Sequence, residues 1–334
     1  MGTAELSCAS LKALAEDKRF LVAAVVTQPD RPRGRELKLQ PSPVKALAQN
    51  LNLPVLQPAK ARDEKFIAEL RRLAPELVVV AAYGQILPQN LLDLPRHGCL
   101  NVHTSLLPQY RGAAPIQRAM ANGETETGVT LMKMDAGLDT GPIVAQRRLA
   151  IQPADDSATL HDRLARLGAE LLVETIPDYV AGKIQPRSQP AEGASYAPKI
   201  KKEDGRIDWN LPARTIGNRL RAFTPWPGAF TLLPGLPLVG RASPRAETGV
   251  TNPPRLAGSL APPKPHLLKI WKAEVIEKSG PPGTILAADK NGIVVACGRD
   301  ALRILELQRE GGRRMNAAEF LAGYPLKTGV KFER

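Results

Sequence analysis

Through the first half of the chain, short apolar runs alternate with amphipathic stretches, the pattern of a parallel sheet wrapped by helices. Leu21–Thr27 reads Leu-Val-Ala-Ala-Val-Val-Thr, is rich in β-branched residues and is closed by Pro29, which predicts a buried strand. Pro43–Asn50 predicts a helix, Val55–Leu56 a short strand, and Asp63–Leu73 an amphipathic helix opened by its aspartate. Leu77–Ala82 is a second unbroken apolar run, as expected of a strand covered on both faces. Cys99–His103 predicts a third strand, and the alternating Gly128–Met134 a fourth. Helical pattern then runs from Asp155 to Ala169 and on to about Gly182, completing an α/β domain over residues 1–186.

From Gln185 to Asp204 the chain turns polar, with Pro186, Pro190, Pro198 and a Lys199–Lys202 cluster, so residues 187–204 read as a linker. Beyond it, short strands are broken by Pro and Gly: Leu267–Val275, Thr284–Ala287, Gly292–Val295 and Leu302–Leu307. That is the signature of a small β-barrel, in a second domain over residues 205–334. Pro234–Pro265 holds eight Pro and four Gly in 32 residues, too many for ordered strands, and reads as a flexible insertion.

At 334 residues the chain suits two domains, and 43% hydrophobic with 24% charged residues place it among globular proteins with a real core. Cys8, Cys99 and Cys297 lie far apart, too few for a disulfide framework and at no zinc-ligand spacing. A reduced, cytoplasmic protein without a metal site is expected. The apolar runs fall far short of the roughly 18 residues a membrane span needs. Met1–Glu5 lacks the basic-then-apolar opening of a signal peptide.

The net charge of +13 is unevenly placed: residues 1–186 hold 22 Lys/Arg against 20 Asp/Glu, and residues 187–334 hold 24 against 13. Basic charge confined to one segment points to a polyanionic partner there, since a generally basic proteome would spread it over both halves.

Leu100–Gly141 carries the candidate chemistry. Successive strand side chains alternate faces, so Asn101 and His103 are expected to project together from a strand end. An amide donor beside an imidazole suits acyl transfer, because both can serve one developing oxyanion. Ser105-Leu106-Leu107-Pro108 follows as extended chain, then Arg111-Gly112-Ala113-Ala114-Pro115 as a turn into a helix. Gly137-Leu138-Asp139-Thr140-Gly141 sets a carboxylate in a glycine-flanked loop, where it can orient an imidazole. Taken singly, an Asn-x-His pair is most often inert, and an Asp among glycines is usually a cap or Asx-turn. Their combination is what points to function.

Longer motifs tie these residues to a family. Asn101-Val102-His103-Thr104-Ser105-Leu106-Leu107-Pro108, Tyr110-Arg111-Gly112-Ala113-Ala114-Pro115-Ile116-Gln117-Arg118 and Met134-Asp135-Ala136-Gly137-Leu138-Asp139-Thr140-Gly141 together resemble the folate-dependent formyltransferases. Val26-Thr27-Gln28-Pro29-Asp30-Arg31-Pro32, Pro41-Ser42-Pro43-Val44-Lys45, Ala82-Tyr83-Gly84-Gln85-Ile86-Leu87-Pro88, Arg206-Ile207-Asp208-Trp209 and Arg221-Ala222-Phe223-Thr224-Pro225-Trp226-Pro227 narrow the resemblance to the branch acting on methionyl-tRNA. It extends over almost the whole chain.

The resemblance implies a Rossmann-like, doubly wound, mostly parallel sheet, followed by a small OB-like β-barrel that binds tRNA. It implies transfer of the formyl group of 10-formyltetrahydrofolate to the α-amino group of methionine on initiator methionyl-tRNA. Carried over by motif, the catalytic residues are Asn101, His103 and Asp139. The folate is expected along Ser105, Leu106, Leu107 and Pro108, with its pterin against Tyr83, Gln85, Ile86 and Leu87. The loop Gln28–Pro43, with Arg31, Arg33, Arg35 and Lys38, is expected to enter the acceptor stem. Arg35 matches the family's key arginine, whereas Arg33 replaces a small residue, and Glu36 and Leu37 stand where glycine and lysine are common. The partners implied are initiator methionyl-tRNA and folate, with no metal or membrane, and a monomeric chain is expected. In the family a short β-branched strand precedes the segment like Met1-Gly2-Thr3, so such a strand is expected before Met1, between Leu21–Thr27 and Leu77–Ala82.

Two other classes compete. A formyltransferase for a small amine, such as a glycinamide nucleotide or a nucleotide sugar, would share Asn101, His103 and Asp139, but would need neither the arginine loop nor the basic C-terminal segment. A non-catalytic RNA-binding protein would not need the three side chains.

Overall fold

The structure, a computed structural model, describes residues 1–33, 38–233 and 266–333. It divides into two units, Met1–Ile200 and Lys201–Arg334.

In the first unit, α1 (Leu6–Glu16) turns Leu6, Ser7, Ser10 and Leu11 inward. After β1 (Val25–Val26), the strands β2 (Arg31–Arg33) and β3 (Lys38–Gln40) pair as an antiparallel hairpin. Ser42 caps α2 (Pro43–Asn50) by accepting from the Lys45 N–H, and Pro43 occupies the first turn, where an amide hydrogen would lack a partner anyway. Beyond β4 (Val55–Leu56), Asp63 caps α3 (Glu64–Leu73), which carries Glu64 in its first turn and Arg71 and Arg72 in its last, as the helix dipole favours. Then come β5 (Val78–Val80), α4 (Gln89–Leu92), β6 (Cys99–His103), β7 (Arg111–Gly112), α5 (Pro115–Asn122), β8 (Glu126–Lys133) and β9 (Ile143–Ala150). A capping box of Asp156 and Thr159 opens α6 (Ser157–Val180), which packs on α1, β8 and β9.

β1 pairs in parallel with β4, and β5 in parallel with β6; β8 and β9 extend the sheet as antiparallel strands. Met1 and Gly2 join the two parallel pairs. Gly2 N donates to Val26 O at 2.9 Å, Met1 N to Val79 O at 2.6 Å, and Ala81 N to Met1 O at 3.0 Å. The unit is thus a Rossmann-like α/β fold, parallel through its centre and antiparallel at one edge.

Two expectations need correction. Only Val25–Val26 of the expected strand Leu21–Thr27 is in a ladder, and Leu21 is 93% exposed. Apolar sequence sets what a strand can bury, but paired neighbours decide where it forms, and the β4 ladder spans only Val25 and Val26. Beside this stretch lies an apolar cavity of about 820 Å³, lined among others by Leu11, Val22, Val79 and Ile176. Residues 187–200, expected as linker, are laid along the first unit instead. Arg187 bridges Ile143, and β10 (Tyr196–Ala197) pairs in parallel with β7, so that backbone groups on both sides find partners.

In the second unit α7 (Ala213–Ala222) precedes β11 (Ala229–Leu233), β12 (His266–Ile276), β13 (Ile285–Asp289), β14 (Gly292–Ala296), β15 (Ala301–Arg309), β16 (Arg314–Asn316) and α8 (Ala317–Gly323). The sheet runs β11-β12-β15-β14-β13, antiparallel throughout, with β16 added to β15. Near the chain end, Lys331 bridges Thr284 and Glu333 bridges Leu232. Leu268, Ile270, Ile293, Leu302, Ile304 and Leu307 form the core with Ile216 and Leu220 of α7 and Phe320 of α8. Trp209 stacks on Phe332 at 5.6 Å, and its indole N–H donates to Thr231 Oγ1 at 3.0 Å. The four strands expected here appear as β12 to β15, while Pro234–Pro265 lies outside the described residues. Among the described residues no helix is long and apolar enough to cross a membrane.

Candidate active site

Asn101 and His103 leave β6 on one face, at the end of the strand where chain direction in the sheet changes from parallel to antiparallel. The loop after β8 curls back so that Asp139 faces both. It holds Asp139 at φ 53°, a left-handed conformation that is costly for a residue with a side chain. Several contacts fix the loop. Asp135 accepts from Gly137 N at 3.0 Å and from Thr140 Oγ1 at 2.8 Å. Gln189 Nε2 donates to both Asp139 O and Gly141 O at 2.8 Å, and Arg111 in turn donates to Gln189 Oε1 at 3.1 and 2.8 Å.

The Asp139 carboxylate is the meeting point. Gly112 N donates to its Oδ2 at 2.8 Å, Asn101 Nδ2 to its Oδ1 at 3.3 Å, and His103 Nδ1 stands 3.6 Å from Oδ2. Gly112 can deliver its N–H here because it has no side chain: its φ is +115°, and a Cβ would come within 2.8 Å of the Ala197 carbonyl. The anchoring contact is therefore with backbone, and the imidazole lies at ion-pair distance rather than in a tight hydrogen bond.

The side chains of His103 and Asp139 are only 6% and 13% exposed. His103 Nε2 lies 3.0 Å from the carbonyl of Tyr110. A carbonyl only accepts, so Nε2 carries the proton and Nδ1 is the nitrogen turned to Asp139 and the site. Tyr110, at φ 60°, is fixed through its ring: its hydroxyl donates to Glu124 at 2.6 Å and accepts from Asn122 at 3.1 Å. Burial, and then the Glu124 contact, push its phenol up to about 12.

Ser105–Pro108 is held from behind by Thr130. Its Oγ1 donates to Ser105 O at 2.7 Å and accepts from Leu107 N at 3.1 Å and Gln146 Nε2 at 2.9 Å. Gln146 also donates to Leu107 O at 2.8 Å. Ser105 and Leu107 are buried by this arrangement, while Leu106 and Pro108 are half-buried.

In the Tyr83–Leu87 loop, Tyr83 and Leu87 are buried, whereas Ile86 is 91% exposed. Gln85 is committed to its neighbours, accepting from Ala61 N at 2.7 Å and donating to Ala59 O at 3.3 Å. The Tyr83 hydroxyl is buried without a hydrogen-bond partner, and burial pushes it to about 12. No hydrogen bond joins this loop to Asn101, His103 or Asp139 among the described residues.

Arg31, Arg33 and Lys38 belong to the β2–β3 hairpin, with Arg31 exposed and donating to Gln28 Oε1 at 2.6 Å; Arg35 lies outside the described residues. Among the described residues, no group of three His, Cys, Asp or Glu side chains is placed to hold a metal ion.

Asn101, His103 and Asp139, expected together from their motifs, do converge, and four supporting groups join them without a mark in the sequence. Gly112 and Tyr110 stand in a motif, but what they contribute is backbone. Thr130 reads as one more strand residue. Gln189, in the polar stretch expected as linker, carries no local signal at all.

Residues 1–176 match the family of formyl transferases, and residues 199–325 match the formyl transferase C-terminal domain. A methionyl-tRNA formyltransferase of Geobacter sulfurreducens is 47% identical over 331 residues, 99% of this chain and 95% of the relative. One from Myxococcus xanthus is 50% identical over 329 residues, 98% of this chain and 95% of the relative. Among solved structures, the sugar 3N-formyl transferase WlaRD, in the presence of dTDP and 5-N-formyl-THF, superposes with a TM-score of 0.60 at 18% identity, covering 91% and 95% of the two chains.

Proposed function

The chain belongs to the formyltransferase family, and on that premise we propose how its residues carry out the transfer. The reaction is transfer of a formyl group from a formyl-folate to the α-amino group of methionine on initiator methionyl-tRNA. The donor is 10-formyltetrahydrofolate, and it supplies the one-carbon group at the formyl level of oxidation. The donor set suits such a group: an amide hydrogen for the formyl oxygen, an imidazole nitrogen beside it, and a carboxylate for the proton lost by the amine.

Asn101 has a second amide hydrogen beyond the one given to Asp139, and turns it to the formyl oxygen as negative charge develops there. His103 keeps its Nε2 proton on the Tyr110 carbonyl, so the ring is held in one plane with Nδ1 toward the same space. Asp139 accepts from backbone and Asn101, takes up the proton that the amine loses on bonding the formyl carbon, directly or through a water, and returns it to the folate nitrogen as its bond to that carbon breaks. No metal is assigned to this chemistry.

The donor lies along Ser105, Leu106, Leu107 and Pro108, backed by Thr130, with Ile86 as an apolar edge of the Tyr83–Leu87 loop. Arg31, Arg33, Arg35 and Lys38 contact the acceptor stem. The second unit is an OB-like barrel that binds tRNA. The bridges of Lys331 to Thr284 and Glu333 to Leu232 support it, since they span from the β13 edge to the β11 edge. The protein is a cytoplasmic monomer.

The observation that carries this reading is the convergence of Asn101, Gly112 and His103 on the single carboxylate of Asp139. The test compares formyl transfer to methionylated initiator tRNA with transfer to small amines. Efficient transfer to the charged tRNA alone is expected; comparable kcat/KM on an amino sugar nucleotide would overturn the assignment.

A further inference from the structure

Two of the chain's three tryptophans lie outside the cores, and both belong to the basic second unit. Trp226 is 57% exposed, in the loop between α7 and β11. Trp271 is half-buried on β12, where the register with β15 shifts. Lys269 lies beside Trp271 and close to the loop that carries Trp226. The Lys269 ammonium lies 5.8 Å from the centre of the Trp271 ring, and 4.0 Å from where a Cβ on Gly228 would sit, two residues past Trp226.

Strand register places Lys269 and its strand neighbours on one face. Leu268 and Ile270 point into the core, so Lys269 points out, and it stands across from Phe230 on β11 and Gln308 on β15; Gln308 in turn stands across from Arg314 on β16. The Trp271 indole N–H donates to Gln308 Oε1 at 3.0 Å, which pins the ring, and the Arg314 guanidinium lies 5.2 Å from the ring centre. The charges are not all free: Arg314 is paired with Glu306 at 2.5 Å. Lys269 has no carboxylate within ion-pair distance among the described residues, nor does the exposed Lys272. An ammonium with no carboxylate partner among the described residues, beside a fixed indole and near a loop bearing an exposed one, has on a sheet face of a basic unit the chemistry of a nucleic-acid platform. Cations meet phosphate, and an aromatic face accepts any unpaired base.

We propose that this outward face of β11, β12 and β15 is where the second unit grips the tRNA, with Lys269 on a backbone phosphate and Trp226 stacked on an unpaired base. The proposal rests on the formyltransferase reading and adds to it the surface and the roles of the side chains. Lys269 provides a sequence-independent, salt-sensitive contact. Trp226 provides a salt-insensitive one, because stacking releases no counterions.

The test measures binding of initiator tRNA to the full chain across a salt series, with melting curves to establish that each variant is folded. Trp226→Ala is expected to weaken binding roughly tenfold with the salt slope unchanged, and Trp226→Phe to restore most of it. Lys269→Ala is expected to lower the log–log salt slope by about one unit. Both should raise KM for methionyl-tRNA and leave kcat at saturating tRNA intact, and tRNA should quench the fluorescence of the wild type more than that of Trp226→Ala. Folded variants with wild-type affinity and slope would overturn the platform while the wild type still formylates methionyl-tRNA. A wild type that neither binds nor formylates it would overturn the reading beneath.

Discussion

Asp139 and Lys269 are both charges turned to a site, and the two units hold them in opposite ways. The Asp139 carboxylate is almost enclosed, gripped by a backbone N–H and an amide on a loop that is itself cross-tied by Asp135 and Gln189. Lys269 lies on a sheet face, leaning on Trp271, with no carboxylate to hold it among the described residues. The difference is what the two proposed tasks require. A group that must meet a reacting atom has to be placed to a fraction of an ångström, and only backbone and short hydrogen bonds do that. A group that meets phosphate needs charge and reach.

Breaking the first arrangement should therefore cost turnover rather than affinity. The largest loss is expected for Asp139→Asn and His103→Ala, each lowering kcat by roughly 10² or more while tRNA affinity stays at wild type. Steady-state kinetics beside a binding titration check this, and tRNA binding lost in step with turnover would erase the distinction between the units. Gly112→Ala comes next. Its new Cβ meets the Ala197 carbonyl at φ +115°, so stability should drop by about 1–3 kcal/mol in denaturant melts and kcat by roughly tenfold.

A smaller and different effect is expected of Thr130→Val. The valine keeps the shape but orphans Leu107 N and Ser105 O, a cost of about 1–3 kcal/mol, and should raise KM for the folate with kcat held. The smallest effect belongs to Gln189→Ala, a loss of about threefold in kcat from a loosened Asp139 loop, with the affinity for tRNA unmoved.

The same contrast explains what could be read from the amino-acid sequence. β6 was legible because an apolar run ends in an alternating Asn-x-His, and alternation alone places Asn101 and His103 on one face. The antiparallel strands β12 to β15 were legible because Pro and Gly mark their ends. Leu21–Ala24 departs from its expected strand because apolarity reports what a segment can bury, whereas a strand also needs a ladder beside it. α1 escaped because its N-cap residue, Glu5, makes no side-chain capping bond and signals no start. Gln189 could not be found at all, since its partners are about 50 positions away and nothing near it in the chain records the contact. The side chains proposed for chemistry stand in motifs; of the groups that hold them, Gly112 and Tyr110 act through backbone, and Thr130 and Gln189 act from positions the motifs do not mark.

The most direct test of Asn101 and Asp139 as one device is a double-mutant cycle on the single-turnover rate of formyl transfer to methionyl-tRNA, using Asn101→Ala, Asp139→Asn and the pair at saturating folate. Because Asn101 and Asp139 share one hydrogen bond and one site, the double variant should be little slower than the slower single variant. Losses of roughly 10² in each single variant that multiply to roughly 10⁴ in the pair would mean independent roles, and would contradict the convergence on Asp139 as the basis of catalysis.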